Sequence, residues 1–169
     1  MMVRRVLDVI AKIGDRLATL AWGLARTLRL PPRSILTTIR VAMVMAVVEV
    51  LVRRTPLPRV ASLLNVRLDL RPSSAPTSPV DVTTLPAVAQ RQIVCTNRVA
   101  DVWPFSDGPC LRRTLVAGRL LRQHDPSIRI GLRGADADMI AHAWLEIDGH
   151  PLEDVSDVGA FAIAGAGAA

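Results

Sequence analysis

Pro109-Cys110-Leu111-Arg112-Arg113, followed at a distance by Ile140-Ala141-His142-Ala143-Trp144-Leu145-Glu146, is the pair of stretches on which the reading of this chain turns. Leu111, Leu115, Val116, Leu120 and Leu121 recur at helical spacing, so Cys110 falls in the first turn of a helix. The unpaired amides and the positive dipole end at a helix start stabilise a thiolate and lower the thiol pKa. His142 stands instead in a strand-like apolar run, Met139 to Ile147, preceded by a shorter one, Ile128 to Arg133. Thiol-dependent amide chemistry needs a thiolate, a histidine that holds and delivers the proton, and a group that fixes the imidazole tautomer. Cys110, His142 and Asp154, on a helix start, a strand and the strand after it, can fill these three roles. Taken singly each has a plainer reading: Cys110 as a small buried hydrophobe, His142 as a core histidine, Asp154 as a cap of the next turn. The constellation carries the reading, not any one member.

Asp148-Gly149 is a hairpin turn signal, and the register it sets decides whether Asp154 can reach His142. With a plain two-residue turn, Ile147 pairs with His150 and Asp154 lies opposite Ala143. Side chains alternate faces along a strand, so Asp154 would then point away from the imidazole. A three-residue loop or a bulge, with Ile147 opposite Pro151, places Asp154 across from Trp144 and on the face of His142. A Cys-His-Asp site therefore predicts the odd shift; the even register would promote Glu146 or another acid. Trp144 shares the face of His142 and is a candidate shield for it. The amide of Cys110 is one candidate donor to an oxyanion.

Working outward, Leu85 to Val102 reads as a helix and Trp103 to Pro109, with two prolines and a glycine, as a loop. Arg67 to Thr84 contains Arg71-Pro72-Ser73-Ser74-Ala75-Pro76-Thr77-Ser78-Pro79, the composition of an exposed linker. Before it, a short helix follows Pro58. Ser34 can cap a helix through about Arg54 whose apolar run, Val41 to Val52, is shorter than the ~20 residues a bilayer crossing requires, so a buried core helix is expected. From Val3 to Leu30 the residues Val6, Leu7, Ile10, Ile13, Leu17, Leu20, Ala21, Leu24 and Leu28 make one stripe of an amphipathic helix. Pro31-Pro32 ends it. Packing against its own domain is the expectation for that helix, with a partner or a membrane surface as the other reading. From Gly159 the Gly/Ala tail has little to pack.

Composition narrows the classes. Twenty of the 21 basic residues are arginine, and Ala, Val, Pro and Asp are also abundant, which looks as much like coding bias as like selection for nucleic acid; the pI of about 11.1 is discounted accordingly. The distribution says more. Residues 1 to 80 carry 13 basic and 4 acidic side chains, a net +9, and residues 81 to 169 carry 8 and 11, a net −3. A basic half favours anionic partners, but few aromatics and no recognisable module disfavour nucleic acid. The two cysteines, Cys95 and Cys110, and three histidines lack close metal-ligand spacing. A Cys95–Cys110 disulfide is outweighed by separate roles in a chain with no secretion signal, so a cytoplasmic location is expected.

Gly108-Pro109-Cys110-Leu111-Arg112-Arg113, the helix after it, Gly131-Leu132-Arg133, the run Ala141 to Gly149 and then Asp154 resemble the leader peptidases of lasso-peptide biosynthesis. The order Cys, His, Asp and the spacings of 32 and 12 residues are similar. The part from about Ser34 to Asn65 also resembles the region that precedes the protease domain in that family. The resemblance implies an α+β transglutaminase/papain-like core, a Cys-bearing helix packed on a small antiparallel sheet, after an α-helical N-terminal region. Its organisation would be a helical region at 1–66, a linker at 67–84, the protease domain at 85–158 and a tail at 159–169. It implies that Cys110 attacks the leader–core peptide bond of a precursor peptide, that His142 acts as base and then acid, that Asp154 orients it, and that no cofactor or metal is used. The chain looks like the split, protease-only form, implying a separate leader-recognition protein and a cyclase that closes the macrolactam. Two other readings stay open: an acyltransferase or amidase of the same fold, and a non-catalytic membrane or protein adaptor.

Overall fold

Pro32 opens the first described helix, because its fixed φ suits the first helical position and its missing N–H has no partner to lose there. The computed structural model describes residues 32–70, 78–105, 109–133, 140–156 and 158–160. The helix is α1 (Pro32–Arg54), and after it come α2 (Leu57–Leu63), β1 (Arg67–Leu68), α3 (Ala87–Asp101), α4 (Cys110–Leu120), β2 (Ser127–Arg133), β3 (Ile140–Ile147), β4 (His150–Pro151) and β5 (Val158–Ala160). The amphipathic segment expected over Val3 to Leu30, most of the Pro/Ser-rich run and the end of the Gly/Ala tail lie outside the described residues.

The arrangement is α+β, a small mixed sheet in the order β1-β2-β3-β4 with β5 also on β2. Antiparallel β2 and β3 pair from Ser127 opposite Glu146 to Arg133 opposite Ile140. The far edge of β2 is shared, β1 running parallel to its start and β5 antiparallel to its end. Two expectations change here. Arg67–Leu68, read as linker, is a strand, and the Asp69 amide extends it by donating to the Ile128 carbonyl at 2.9 Å. Val158–Ala160, read partly as tail, is also paired. Both are strands of two or three residues, too short for periodicity to show, and they exist because a distant edge offers partners for their backbone groups.

One core unites the helices and the sheet: Val41, Met45 and Val48 of α1, Cys95 and Val99 of α3, Leu115 and Val116 of α4, and Ile128, Leu145 and Ile147 of the sheet. The helices before and after the Pro/Ser-rich run contribute to this one core. A Pro/Ser-rich stretch reads locally as a domain linker even where it joins elements of one packing unit.

The expected burial of α1 is corrected too. Val41, Met45 and Val48 are fully buried, but Leu36, Ile39, Met43, Val47 and Val50 on the other side are exposed. By length and composition alone Ser34–Arg54 would pass as a membrane span, contrary to the length argument from its apolar run, yet 28% of its most apolar window is buried inside the fold. The buried stripe also carries charge pairing. Glu49 accepts from Arg112 Nε of α4 and from Arg53 Nε, each at 2.6 Å. Burial pushes the Glu49 carboxyl up, but the two guanidinium hydrogen bonds outweigh it and leave the pKa below the ordinary value. Arg112 thus ties the start of α4 to α1.

Gly118 lets α4 approach the sheet. A Cβ there would lie 2.8 Å from Val66 Cγ1 and 3.3 Å from Leu145 Cδ1. Gly118→Val is expected to destabilise the fold by about 1–3 kcal/mol through overpacking, read as a lower midpoint in urea unfolding with an unchanged slope.

Candidate active site

Cys110 is the first residue of α4, directly after Pro109, and its thiol is partly exposed. Pro109 has no amide to lose and its carbonyl accepts from Arg113 N at 2.8 Å, which closes the first turn. His142 lies on β3, opposite Gly131 of β2, and is 7% exposed. Thr114 bridges the two elements: its Oγ1 is 2.8 Å from the Cys110 carbonyl and 3.0 Å from the Ala143 carbonyl, so one proton is shared between the turn of Cys110 and the neighbour of His142.

The imidazole of His142 is the main influence that holds the Cys110 thiol down at about 7 although burial pushes it up; the amides of Ala143 and Leu111 lower it further. The Cys110 thiol, and then Glu153, push the His142 imidazole up to about 9 against its burial. Both shifts run toward the thiolate and the imidazolium.

The carboxylate that faces His142 is that of Glu153, with Oε1 3.5 Å from Nε2. That is an ion-pair contact, too long for a strong hydrogen bond; a tight hydrogen bond to Nε2 is missing among the described residues. Since Nε2 looks toward Glu153, Nδ1 is left for the thiol. The other oxygen of Glu153 accepts from Arg113 at 3.1 Å. Burial pushes the Glu153 carboxyl up, while His142 and Arg113 draw it below its usual value on balance.

Asp154 is placed elsewhere. It is exposed, its Oδ1 accepts from the Ser156 amide at 2.9 Å and its carbonyl from Arg133. The reason is the hairpin register. Ile147 pairs with His150 and Glu146 with Pro151, and the Leu152 amide donates to Leu145 at 2.9 Å. This is the even register, which corrects the expected odd shift. Asp148 and Gly149, at φ 54° and 79°, form a two-residue turn with both central residues left-handed, which suits the twist of the strands and needs no bulge. Continuing that register sets Asp154 level with Ala143 and Glu153 level with Trp144, the residue that shares the face of His142.

Trp144 stacks on the imidazole, with ring centroids 6.3 Å apart and planes 12° from parallel. Its Nε1 donates to Glu146 at 3.0 Å, and Glu146 is held by Arg129 at 3.0 Å. Glu146, named as the fallback acid, is therefore committed to Trp144 and Arg129 rather than to the imidazole.

A family model described as the transglutaminase-like superfamily matches residues 42–164. The chain belongs to the transglutaminase-like superfamily. The superfamily includes cysteine proteases and acyltransferases, in keeping with a thiol at a helix start beside a strand histidine. The matched span begins within α1, so that helix belongs to the transglutaminase-like domain, as the shared core requires. No curated protein and no solved structure matches the chain.

Sequence reasoning missed Glu153 and Arg113 within this transglutaminase-like site. The signal for Glu153 was present in the Asp-Gly turn, which favours the even register by itself. For Arg113 the signal was its place one turn after Cys110, since positions i and i+3 share a helix face. Arg112, its neighbour, points instead to Glu49.

Proposed function

We propose that this chain is a cysteine peptidase that removes the leader from a ribosomally made precursor peptide of the lasso type, before a partner cyclase closes the macrolactam. The observation that carries the catalytic part is Cys110 at the start of α4 beside His142 of β3, each shifting the other's titration, with the Glu153 carboxylate 3.5 Å from the imidazole. The substrate part is supported by the sequence resemblance over Gly108 to Asp154.

Cys110 Sγ attacks the carbonyl carbon of the scissile amide, and the carbonyl electrons move onto oxygen. The amide of Cys110, at a helix start where N–H groups have no intrahelical partner, is placed to receive that oxyanion. As the C–N bond breaks, His142 gives its proton to the leaving amine, and a thioester on Cys110 remains. His142 then takes a proton from water, which attacks the thioester and releases the acid with the thiol restored. Glu153 fixes the ring and balances the imidazolium charge, and Arg113 holds Glu153 in place.

The test is incubation with a precursor peptide and an added primary amine, with and without a separate leader-binding protein, followed by intact-mass analysis. Leader loss to a free carboxylate is the expected product. Amine incorporation instead would make the chain an acyltransferase, and an unchanged precursor in every condition would sink the peptidase reading. Arg113→Met is expected to slow turnover about tenfold with little change in KM, the value of one charge-assisted hydrogen bond of ~1.5 kcal/mol. Arg113→Lys should restore part of it.

A further inference from the structure

The 3.5 Å contact between Glu153 and His142 Nε2 is long for a group that orients a ring. A second set of contacts reaches the imidazole through its flat face. His142 and Trp144 are two residues apart on β3 and so share one side of the sheet. Their rings lie nearly parallel at a centroid distance of 6.3 Å, an offset stack. The indole is itself tied down: Nε1 donates to Glu146 Oε1 at 3.0 Å, the other oxygen of Glu146 accepts from Arg129 Nε at 3.0 Å, and Arg129 Nη1 lies 3.5 Å from Asp69 Oδ1, just after β1. Arg129 is also the cross-strand partner of Trp144. Trp144, Glu146 and Asp69 are all buried, Glu146 to 5% exposure. A stack alone slides at little cost, but an indole whose N–H is bonded to a buried carboxylate cannot slide without stranding that donor.

We propose that Glu146 is a positioning residue of this site: held by Arg129 and Asp69, it locks the Trp144 indole, and the indole holds the imidazole of His142 toward the Cys110 thiol. This rests on the thiol–histidine reading given above and not on the identity of the precursor. The contacts run Asp69, Arg129, Glu146, Trp144, His142, so β1, which precedes the Pro/Ser-rich run, is joined to the site formed after it.

Charge and position give opposite signs for the loss of Glu146. The groups that act on the imidazole charge are Cys110 from α4, Glu153 after β4 and Arg133 at the end of β2. A carboxylate acting across space disfavours a thiolate, so deleting its charge alone would lower the thiol midpoint. Loosening the indole instead lets the imidazole, the main influence that holds the thiol down, drift from Cys110, and the midpoint rises.

The test is the pH dependence of Cys110 alkylation by iodoacetamide in the full chain, which needs no peptide; Cys110→Ala supplies the background from Cys95, buried in the core. In Glu146→Gln the amide presents its NH2 to either Trp144 or Arg129, so one of the two donors loses its acceptor. The midpoint should lie about 0.5 to 1 pH unit above that of the wild type. Trp144→Phe, which keeps a ring on the imidazole and removes no charge, should raise it as much and carries the test by itself should Glu146→Gln not fold. The double variant should rise no further, since both changes break one link. With a cleaved precursor, kcat should fall about tenfold in either variant with KM unchanged. A midpoint at or below the wild-type value in either folded variant, while His142→Ala still raises it, would overturn the proposal; so would additive shifts in the double variant. An unmoved midpoint in His142→Ala would overturn the thiol–histidine reading, and the proposal with it.

Discussion

Cys110→Ala is expected to lower cleavage to background, a loss on the order of 10³-fold or more, because it removes the thiol beside His142 and the other cysteine, Cys95, is buried in the core. The pH dependence is the sharper form of the same prediction. Cys110 sits down at about 7 and His142 up at about 9. Below about 7 the thiolate takes a proton and the nucleophile is lost; above about 9 the imidazolium gives up its proton and the leaving amine has no donor. Activity should therefore rise through pH 7, hold, and fall as pH passes 9, with both limits belonging to the coupled pair. Alkylation by iodoacetamide reports the rising limb alone. In the wild type it should titrate near 7, and in His142→Ala it should move up toward the ordinary thiol range, since the largest lowering influence has gone. Equal alkylation midpoints in the two proteins would mean that the histidine does not act on the thiol.

What could be read from the sequence follows the range of each signal. The helix that starts at Cys110 and the strand that carries His142 are encoded in local periodicity, at 3.6 and 2 residues, and both stand where that periodicity puts them. Cys110 at the first helical position needed only Pro109 and the stripe behind it. The short strands β1 and β5 are a different matter. Arg67–Leu68 has no pattern of its own and becomes a strand because the edge of β2 at Ser127–Ile128 lies free for it, some sixty residues away. The burial of α1 was half legible: Val41, Met45 and Val48 repeat at helical steps, but so do Leu36, Ile39, Met43 and Val50, and nothing local says which stripe meets the core. In the fold the buried side is the one that carries Glu49, whose carboxylate pairs with Arg112 of α4. The acid of the site was the hardest part. Its identity depends on one residue of hairpin register, and a spacing carried over from similar proteins outweighed the turn chemistry of Asp148-Gly149.

Glu153→Gln is expected to cost 10²- to 10⁴-fold in turnover, whereas Asp154→Asn should stay within about twofold. The two neighbours differ in what they touch. Glu153 places one oxygen on the imidazole and the other on Arg113, so a neutral amide both removes the charge that balances the imidazolium and offers a donor where the ring needs an acceptor. Asp154 faces solvent and accepts from the Ser156 amide, an interaction that asparagine can keep through its own carbonyl. The pH profile separates a positioning role from a merely structural one. Losing Glu153 removes a group that raises the His142 pKa, so the falling limb should move down from about 9 in Glu153→Gln while the thermal midpoint changes little. In Asp154→Asn neither limb should move. The opposite result, with Asp154→Asn inactive and Glu153→Gln active, would mean that the working enzyme holds the hairpin one residue out of the register seen here, with Ile147 opposite Pro151. Deleting Gly149 would not mimic that shift, because it removes the left-handed position on which the turn depends. Inserting a glycine after it, with Asp148-Gly149 kept as the turn, would move every later residue one position along the strand and set Asp154 opposite His142. That insertion, made in Glu153→Gln, should recover activity only if the register alone chooses between the two acids.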